Sequence, residues 1–445
     1  MKKYFLFMVM ALPLCALAQE KPKEEKPKWY DGGKIYGFLQ GNMIYSTNSV
    51  YSWGNRANNY LSTPQFALPD SMGYPALGFT AQHSRLGFDI SKGTDIKVGG
   101  KLEIDFYGGQ HDANLKPRIR LGYASLSKGG FEARIGQQWD LFSPNNPSTN
   151  NTNGNMWYAG NMGFRRAQIQ LIYKKASDKF APMIQLSAGE AAKEDQFAVT
   201  TKTITTPTTT TIKDSLGNVT SVTTTATSTS TSTVGATLGD DNKSCIPMFQ
   251  GRISAKIQKK YEIGIYFVNA AYKTLYTNTV SSKVDSSKSF STSGFGLDIS
   301  LPFHKYFELK AEVNSGTNLN NANLFTVSGN SKIVDNKYID RKDMGIWLNV
   351  TSKISDHFQV VLGYGMDKNK TAEKYLVVND VTSNTVIYGD LIFPISNGFS
   401  VVLEVQNIAT KMVLQMDNTD PENPTIKKEI TNPATIINLA AKITF

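Results

Sequence analysis

The stretch from Ser84 to Phe142 constrains the fold most. At its centre Ile96, Val98, Leu102, Ile104 and Phe106 share one parity, with Gly100 in the gap, while Lys97, Lys101, Glu103, Asp105 and Tyr107 share the other. A strand projects successive side chains to opposite faces, so this segment is greasy on one side and charged on the other. The flanking runs SRLGFDISKG, from Ser84, and KPRIRLGYASLSKGGFEARIGQQWDLF, from Lys116, repeat the pattern. In a soluble sandwich the greasy side would be core. In a membrane barrel it meets lipid, and the charged side lines the lumen.

The beginning of the chain bears on that choice. Lys2 and Lys3 form a basic start, Tyr4 to Leu17 an apolar run, and Ala16-Leu17-Ala18 a small-x-small cleavage site, so residues 1–18 read as a signal peptide. Cys15 does not make a lipoprotein signal, because Leu14 stands where a small residue is wanted. Removing the signal leaves Cys245 as the one cysteine, which excludes an intramolecular disulfide and offers no cysteine metal site. The net charge of +10 falls to about +8 without Lys2 and Lys3, and no nucleic-acid motif accompanies it. Residues 19–33, containing EKPKEEKPK, read as a short charged periplasmic tail, too Pro-rich for a coiled coil. No later apolar run is long enough for a membrane helix.

Residues 34–445 then read as a single all-β unit. Sixteen segments follow one another, from Lys34–Ser46 and Gly78–Ser91 to Gly398–Lys411 and Pro433–Phe445. Each has about the ten residues that a tilted membrane strand needs. The connections alternate between tiny ones, such as Lys128-Gly129 and Ser396-Asn397, and longer ones. Short periplasmic turns against long extracellular loops is the habit of a porin-like, sixteen-stranded antiparallel transmembrane β-barrel. The last segment places Ile437, Leu439, Ala441, Ile443 and Phe445 on one face, resembling the C-terminal signal read by the outer-membrane assembly machinery. An outer-membrane location in a Gram-negative-type bacterium follows, with lipid and lipopolysaccharide as surroundings. Residues 190–245 contain a low-complexity Thr/Ser tract and read as a solvated extracellular loop, with Asp214-Ser215-Leu216 a weak candidate for glycan attachment.

A lumen sixteen strands around needs narrowing to be selective. The loop 139–163, rich in Asn, Gly and aromatics, is the candidate for folding inward, through Trp139, Asp140, Asn145, Asn146, Trp157 and Tyr158. An ordinary outward loop is the alternative. Opposite it, lipid parity set by Leu86, Phe88 and Ile90 turns His83, Arg85 and Asp89 inward. Ile119, Leu121 and Tyr123 do the same for Arg118 and Arg120, Phe131 and Ile135 for Glu132 and Arg134, and Ile169 and Leu171 for Arg166. Arg85, Arg118, Arg120, Arg134 and Arg166, with His83, therefore form a candidate anion-favouring wall. Ion-pair ladders with Asp89, Glu103, Asp105 and Glu132 are the competing reading. Glu262, Asp298, Glu308, Glu312 and Glu404 on inward parity predict an acidic patch facing this wall, and so a transverse field. The histidines His83, His111, His304 and His357 come with no nucleophile or metal-ligand spacing, so neither an enzyme nor a metal or other cofactor is expected.

The succession SRLGFD, GGKLEIDFYGG, RIRLGYASL and RIGQQWDLFSP resembles the DcaP-like trimeric porins, best over Ile35 to Lys175. The resemblance implies a homotrimer, one pore per monomer, and an arginine-bearing eyelet for small organic anions such as dicarboxylates, with Arg85, Arg118, Arg120 and Arg134 at the matching positions. The short tail departs from members that carry a long N-terminal helix. The expectation is a diffusion channel for small polar or anionic solutes. A recognition barrel with a plugged lumen and glycan-bearing or partner-binding loops is the alternative.

Overall fold

The computed structural model describes residues 32–52, 64–67, 69, 73–108, 116–150, 156–191, 200–213, 219–232, 246–277, 284–334, 337–420 and 422–445. The expected signal peptide and most of the charged tail lie outside them, as do His111, the Asp214-Ser215-Leu216 tripeptide and Cys245.

The barrel strands are β1 Gly33–Ser46, β2 in two pieces (Ala76–Thr80 and Arg85–Lys92), β3 Ile96–Asp105, β4 Arg118–Lys128, β5 Phe131–Trp139, β6 Arg165–Lys174, β7 Phe180–Gly189 and β8 Met248–Ile257. There follow β9 Tyr261–Thr277, β10 Val284–His304, β11 Phe307–Thr317, β12 Lys342–Ser355, β13 Phe358–Asn369, β14 Val381–Ser396, β15 Phe399–Asp417 and β16 Thr425–Thr444. Both pieces of β2 pair with β1 end to end, so the seventeen sheet segments make sixteen staves. Every neighbouring pair is antiparallel. The sheet closes where β1 meets β16, with Leu39 opposite Ile443 and Tyr45 opposite Ile437. Phe445 completes the seam by exchanging backbone hydrogen bonds with Gly37 at 3.0 and 3.1 Å. Closure leaves no unpaired edge, which a bilayer would not tolerate.

The alternation read from the sequence becomes inside and outside. Ile119, Leu126, Phe131, Ile135, Ile169, Leu171, Ile253 and Ile265 are exposed, while Glu103, Asp105, Arg120, Gln168, Gln170 and Arg252 are buried. An exterior this apolar with a polar interior is the inverse of a water-soluble domain. Phe131, Tyr173, Phe180, Phe303, Phe307 and Phe399 gather at the end with the short turns, as an interfacial girdle does.

Two local features were not read from the sequence. A bulge between Glu103 and Ile104 pairs Ile104 with Ile119 and Glu103 with Leu121. Beyond it the parity of β4 flips: Leu121 is buried, and Tyr123 lies inside with the Arg134 guanidinium 5.3 Å from its ring centre. Second, part of the Thr/Ser tract is paired backbone. Thr200–Lys213 forms a hairpin ladder with Val219–Ser232, in keeping with the strand preference of threonine.

The apolar core sits within the barrel rather than between layers. Phe142, Met162, Leu319 and Leu324 pack on Tyr266 and Val268 of β9. Met156 and Ala159 pack against Trp347, Val361, Val386 and Tyr388. Long loops therefore enter the lumen and supply its filling.

Candidate functional site

The loop between β5 and β6 does fold inward. Its base is closed by the Asp140 N–H donating to Phe164 O at 2.8 Å and by a two-pronged Arg166–Asp140 pair at 2.6 and 2.8 Å. Gln250 of β8 accepts the N–H groups of Leu141 and Phe142 at 3.0 and 2.9 Å. The loop then follows the far wall. Ser143 Oγ and Asn145 N–H donate to Glu312 of β11, and Ser148 N–H donates to Asn349 of β12 at 3.3 Å. Tyr388 of β14 donates to Ser148 O at 2.8 Å, and Asn150 N–H donates to Glu404 of β15 at 2.7 Å. Gln40 of β1 reaches Asn150 at 3.2 Å. On the return, Asn314 and Asn384 donate to Gly160 O and Tyr158 O, both at 2.9 Å.

This path corrects the expected acidic patch. Asp298, Glu312 and Glu404 do point inward, but they are 0, 2 and 1 % exposed. Asp298 is held by Arg252 at 3.0 and 2.6 Å, while Glu312 and Glu404 are spent as acceptors for the loop. The acids that should have faced the arginines lie beneath residues 143–150. Glu262 is paired with Arg252 at 2.9 Å, and Glu308 lies 3.8 Å from Lys310. The loop surface itself, Pro144, Asn145, Asn146, Ser148 and Thr149, is half-buried and carries no charge.

The opposite wall is basic. Arg118 forks onto Asp105 at 3.0 and 2.7 Å. Arg120 bridges Glu103 at 2.8 Å and Asp105 at 2.9 Å. Arg85 lies 3.6 Å from Glu103 and stacks over Phe38, whose ring also meets His83 at 5.1 Å. Lys442 of β16 stands over the same Phe38 ring at 4.1 Å. Ion pairs of the kind the competing reading expects are thus present at Arg118 and Arg120. They do not neutralise the wall, however. Arg85, Arg118, Arg120, Arg165 and Lys442, five cations, gather around Glu103 and Asp105, two carboxylates, an excess of three positive charges.

Arg165 was not legible from periodicity. Its parity matches the lipid-facing Ile169 and Leu171, yet the residue is 4 % exposed, with its guanidinium 5.0 Å from the Trp139 ring and 5.2 Å from the Phe164 ring. Its Nε and Nη1 have no hydrogen-bond partner. Trp139 lies between Arg165 and Arg120, the latter 5.9 Å away. The available signal was the aromatic pair Trp139 and Phe164 bracketing the loop, a surface on which a guanidinium stacks.

Arg134 and Arg166 are placed differently. Arg134 pairs with Glu132 at 2.6 Å, toward the short-turn end. Arg166, besides Asp140, donates to Glu190 O at 3.0 Å and Ala322 O at 2.8 Å, so it anchors the loop rather than lining the passage. Trp157 and Tyr158 join Phe325 in an aromatic cluster, at 4.5 and 5.3 Å between ring centres, and support the loop from the long-loop side. Among the described residues no group of three or more His, Cys, Asp or Glu side chains could hold a metal ion.

No family model and no curated protein matches the chain. Solved structures do. The outer membrane channel DcaP of Acinetobacter baumannii superposes with a TM-score of 0.64 at 17% identity, covering 93% of this chain and 97% of that one. The fold is that of an outer-membrane porin barrel. An anion-selective porin from Comamonas acidovorans matches at TM-score 0.51 and 13% identity, covering 93% and 99% of the two chains. OmpF of Salmonella typhi, in complex with daunomycin, matches at 0.50 and 10%, covering 94% and 99%.

Proposed function

We propose that the chain is a passive diffusion channel of the outer membrane that favours small anionic solutes. The observation that carries this reading is the asymmetry of the lumen: an excess of three cations on one wall, faced by an uncharged strip of loop. An anion passing about 6 Å from one uncompensated charge gains roughly 1–3 kcal/mol at effective dielectric constants between 20 and 60. A cation loses as much, so several such charges bias passage strongly. Guanidinium groups also match carboxylates in shape, which favours carboxylated solutes and, where two cations are spaced along the path, dicarboxylates. The likeness to the DcaP channel and to an anion-selective porin is in keeping with this. Assembly as a homotrimer and insertion through the Phe445-ended strand belong to the same proposal.

Arg165 gives the cleanest test, because no carboxylate depends on it for pairing. Arg165→Gln should lower the chloride-over-potassium permeability ratio in planar bilayers under a KCl gradient. Arg134→Gln, whose charge Glu132 already offsets, should change it less. Equal ratios for wild type and Arg165→Gln would remove the basic wall from the explanation.

A further inference from the structure

The buried acids of the lumen are met in different ways. Asp298 has Arg252, Asp140 has Arg166 and Asp105 has Arg118, while Glu312 receives three donors. Asp390 has neither. It stands in register with Glu404 on β15, and Glu404 with Asn438 on β16, so the three share one inward row. Asp390, Glu404 and Asn438 are 2, 1 and 1 % exposed. Oδ1 of Asp390 and both amide atoms of Asn438 have no hydrogen-bond partner.

The surroundings offer no compensating charge. Val361 and Ile44 flank the row, Tyr388, Gln406 and Ile436 lie on one side of it, and Ile392, Val402 and Ala440 on the other. Among the described residues no lysine or arginine pairs with Asp390. Residues 148–150 of the loop cover the row: Asn150 N–H donates to Glu404, and Ser148 O accepts from Tyr388. Adjacent buried carboxylates repel, and a buried amide with both ends unmet is costly. Carboxylate oxygens beside an amide oxygen are what calcium and magnesium take as ligands.

We propose that Asp390, Glu404 and Asn438 hold a calcium or magnesium ion that pins the inward loop, at Asn150, to the barrel wall. The ion would neutralise the paired carboxylates and give the Asn438 oxygen a partner. It lies under the uncharged strip of the loop, at Asn150.

The test is calorimetric titration of the purified, EDTA-treated full-length barrel with calcium chloride, alongside Asp390→Asn and Asn438→Leu. Wild type should bind one more calcium per chain than Asp390→Asn. Asn438→Leu, which keeps both carboxylates, should bind that ion at least tenfold more weakly. Calcium should also raise the temperature at which wild type loses its folded electrophoretic mobility, and raise it less in either variant. If Asp390→Asn does not fold, Asn438→Leu alone decides, by its affinity. Equal calcium binding by wild type and the folded variants would mean surface binding only and would overturn the proposal. So would absence of binding together with an infrared band of a protonated carboxyl that vanishes in Asp390→Asn, because a shared proton would then occupy the place given to the ion.

Discussion

Replacing Glu312 with Ala should loosen the inward loop at a defined place. The carboxyl group accepts from Ser143 Oγ, from Asn145 N–H at 2.7 Å and from Trp347 Nε1 at 3.0 Å. The third bond lies within the wall, so two tie the loop. A hydrogen bond to such a group is worth about 1–2.5 kcal/mol net, giving roughly 2–5 kcal/mol in favour of the docked loop. At about 1.4 kcal/mol per factor of ten, the displaced population should rise between roughly thirty- and several-thousand-fold. Gln250, Asn349 and Glu404 still hold the flanks, so the barrel itself should survive. Single-channel recording reads the result directly: Glu312→Ala should give a larger mean conductance with excess open-channel noise. Glu312→Gln, which retains an acceptor oxygen, should fall between it and wild type. A folded Glu312→Ala channel with quiet, wild-type conductance would refute the assignment of Glu312 as a loop anchor.

Two further outcomes concern the loop's supports. Either Arg166→Ala or Asp140→Ala breaks a buried fork and should cost about 3–5 kcal/mol, read as a lower heat-denaturation temperature, with the double variant losing much less than the sum. Gly160 has φ +99°, and a Cβ there would fall 2.2 Å from Ile346 O. Gly160→Ala should therefore cost about 1–3 kcal/mol from backbone strain alone, and the thermal midpoint should fall accordingly.

Strand number and turn order were legible because a barrel in lipid imposes one rule on every stave. Leu86, Ile119 and Ile253 face out while Arg85, Arg118 and Arg252 face in, and each pair could be read from neighbours two residues away. The rule fails where the ladder does. The bulge opposite Glu103 turned Tyr123 inward, and nothing in the local pattern announces an extra residue. Arg165 escaped for a related reason: it opens its strand, at the terminal pair with Trp139, where the guanidinium can curl back onto that ring whatever the parity. That the loop 139–163 folds inward could be read from its composition, but not its course. Parity correctly turned Asp298, Glu312 and Glu404 inward, yet only the path of Ser143 to Asn150 reveals that they are covered. In the Thr/Ser tract, low complexity hid a local signal: the β-preference of threonine, met by pairing Thr200–Lys213 with Val219–Ser232.

The reversal potential of the wild-type protein in planar bilayers, under a KCl gradient, tests the central claim most directly. An open channel whose reversal potential lies on the chloride side, shifting toward zero as salt screens the basic wall, is the expected result. A folded, inserted barrel that stays electrically silent would instead favour a plugged recognition barrel, and a conducting channel that prefers potassium would contradict the arginine-lined passage.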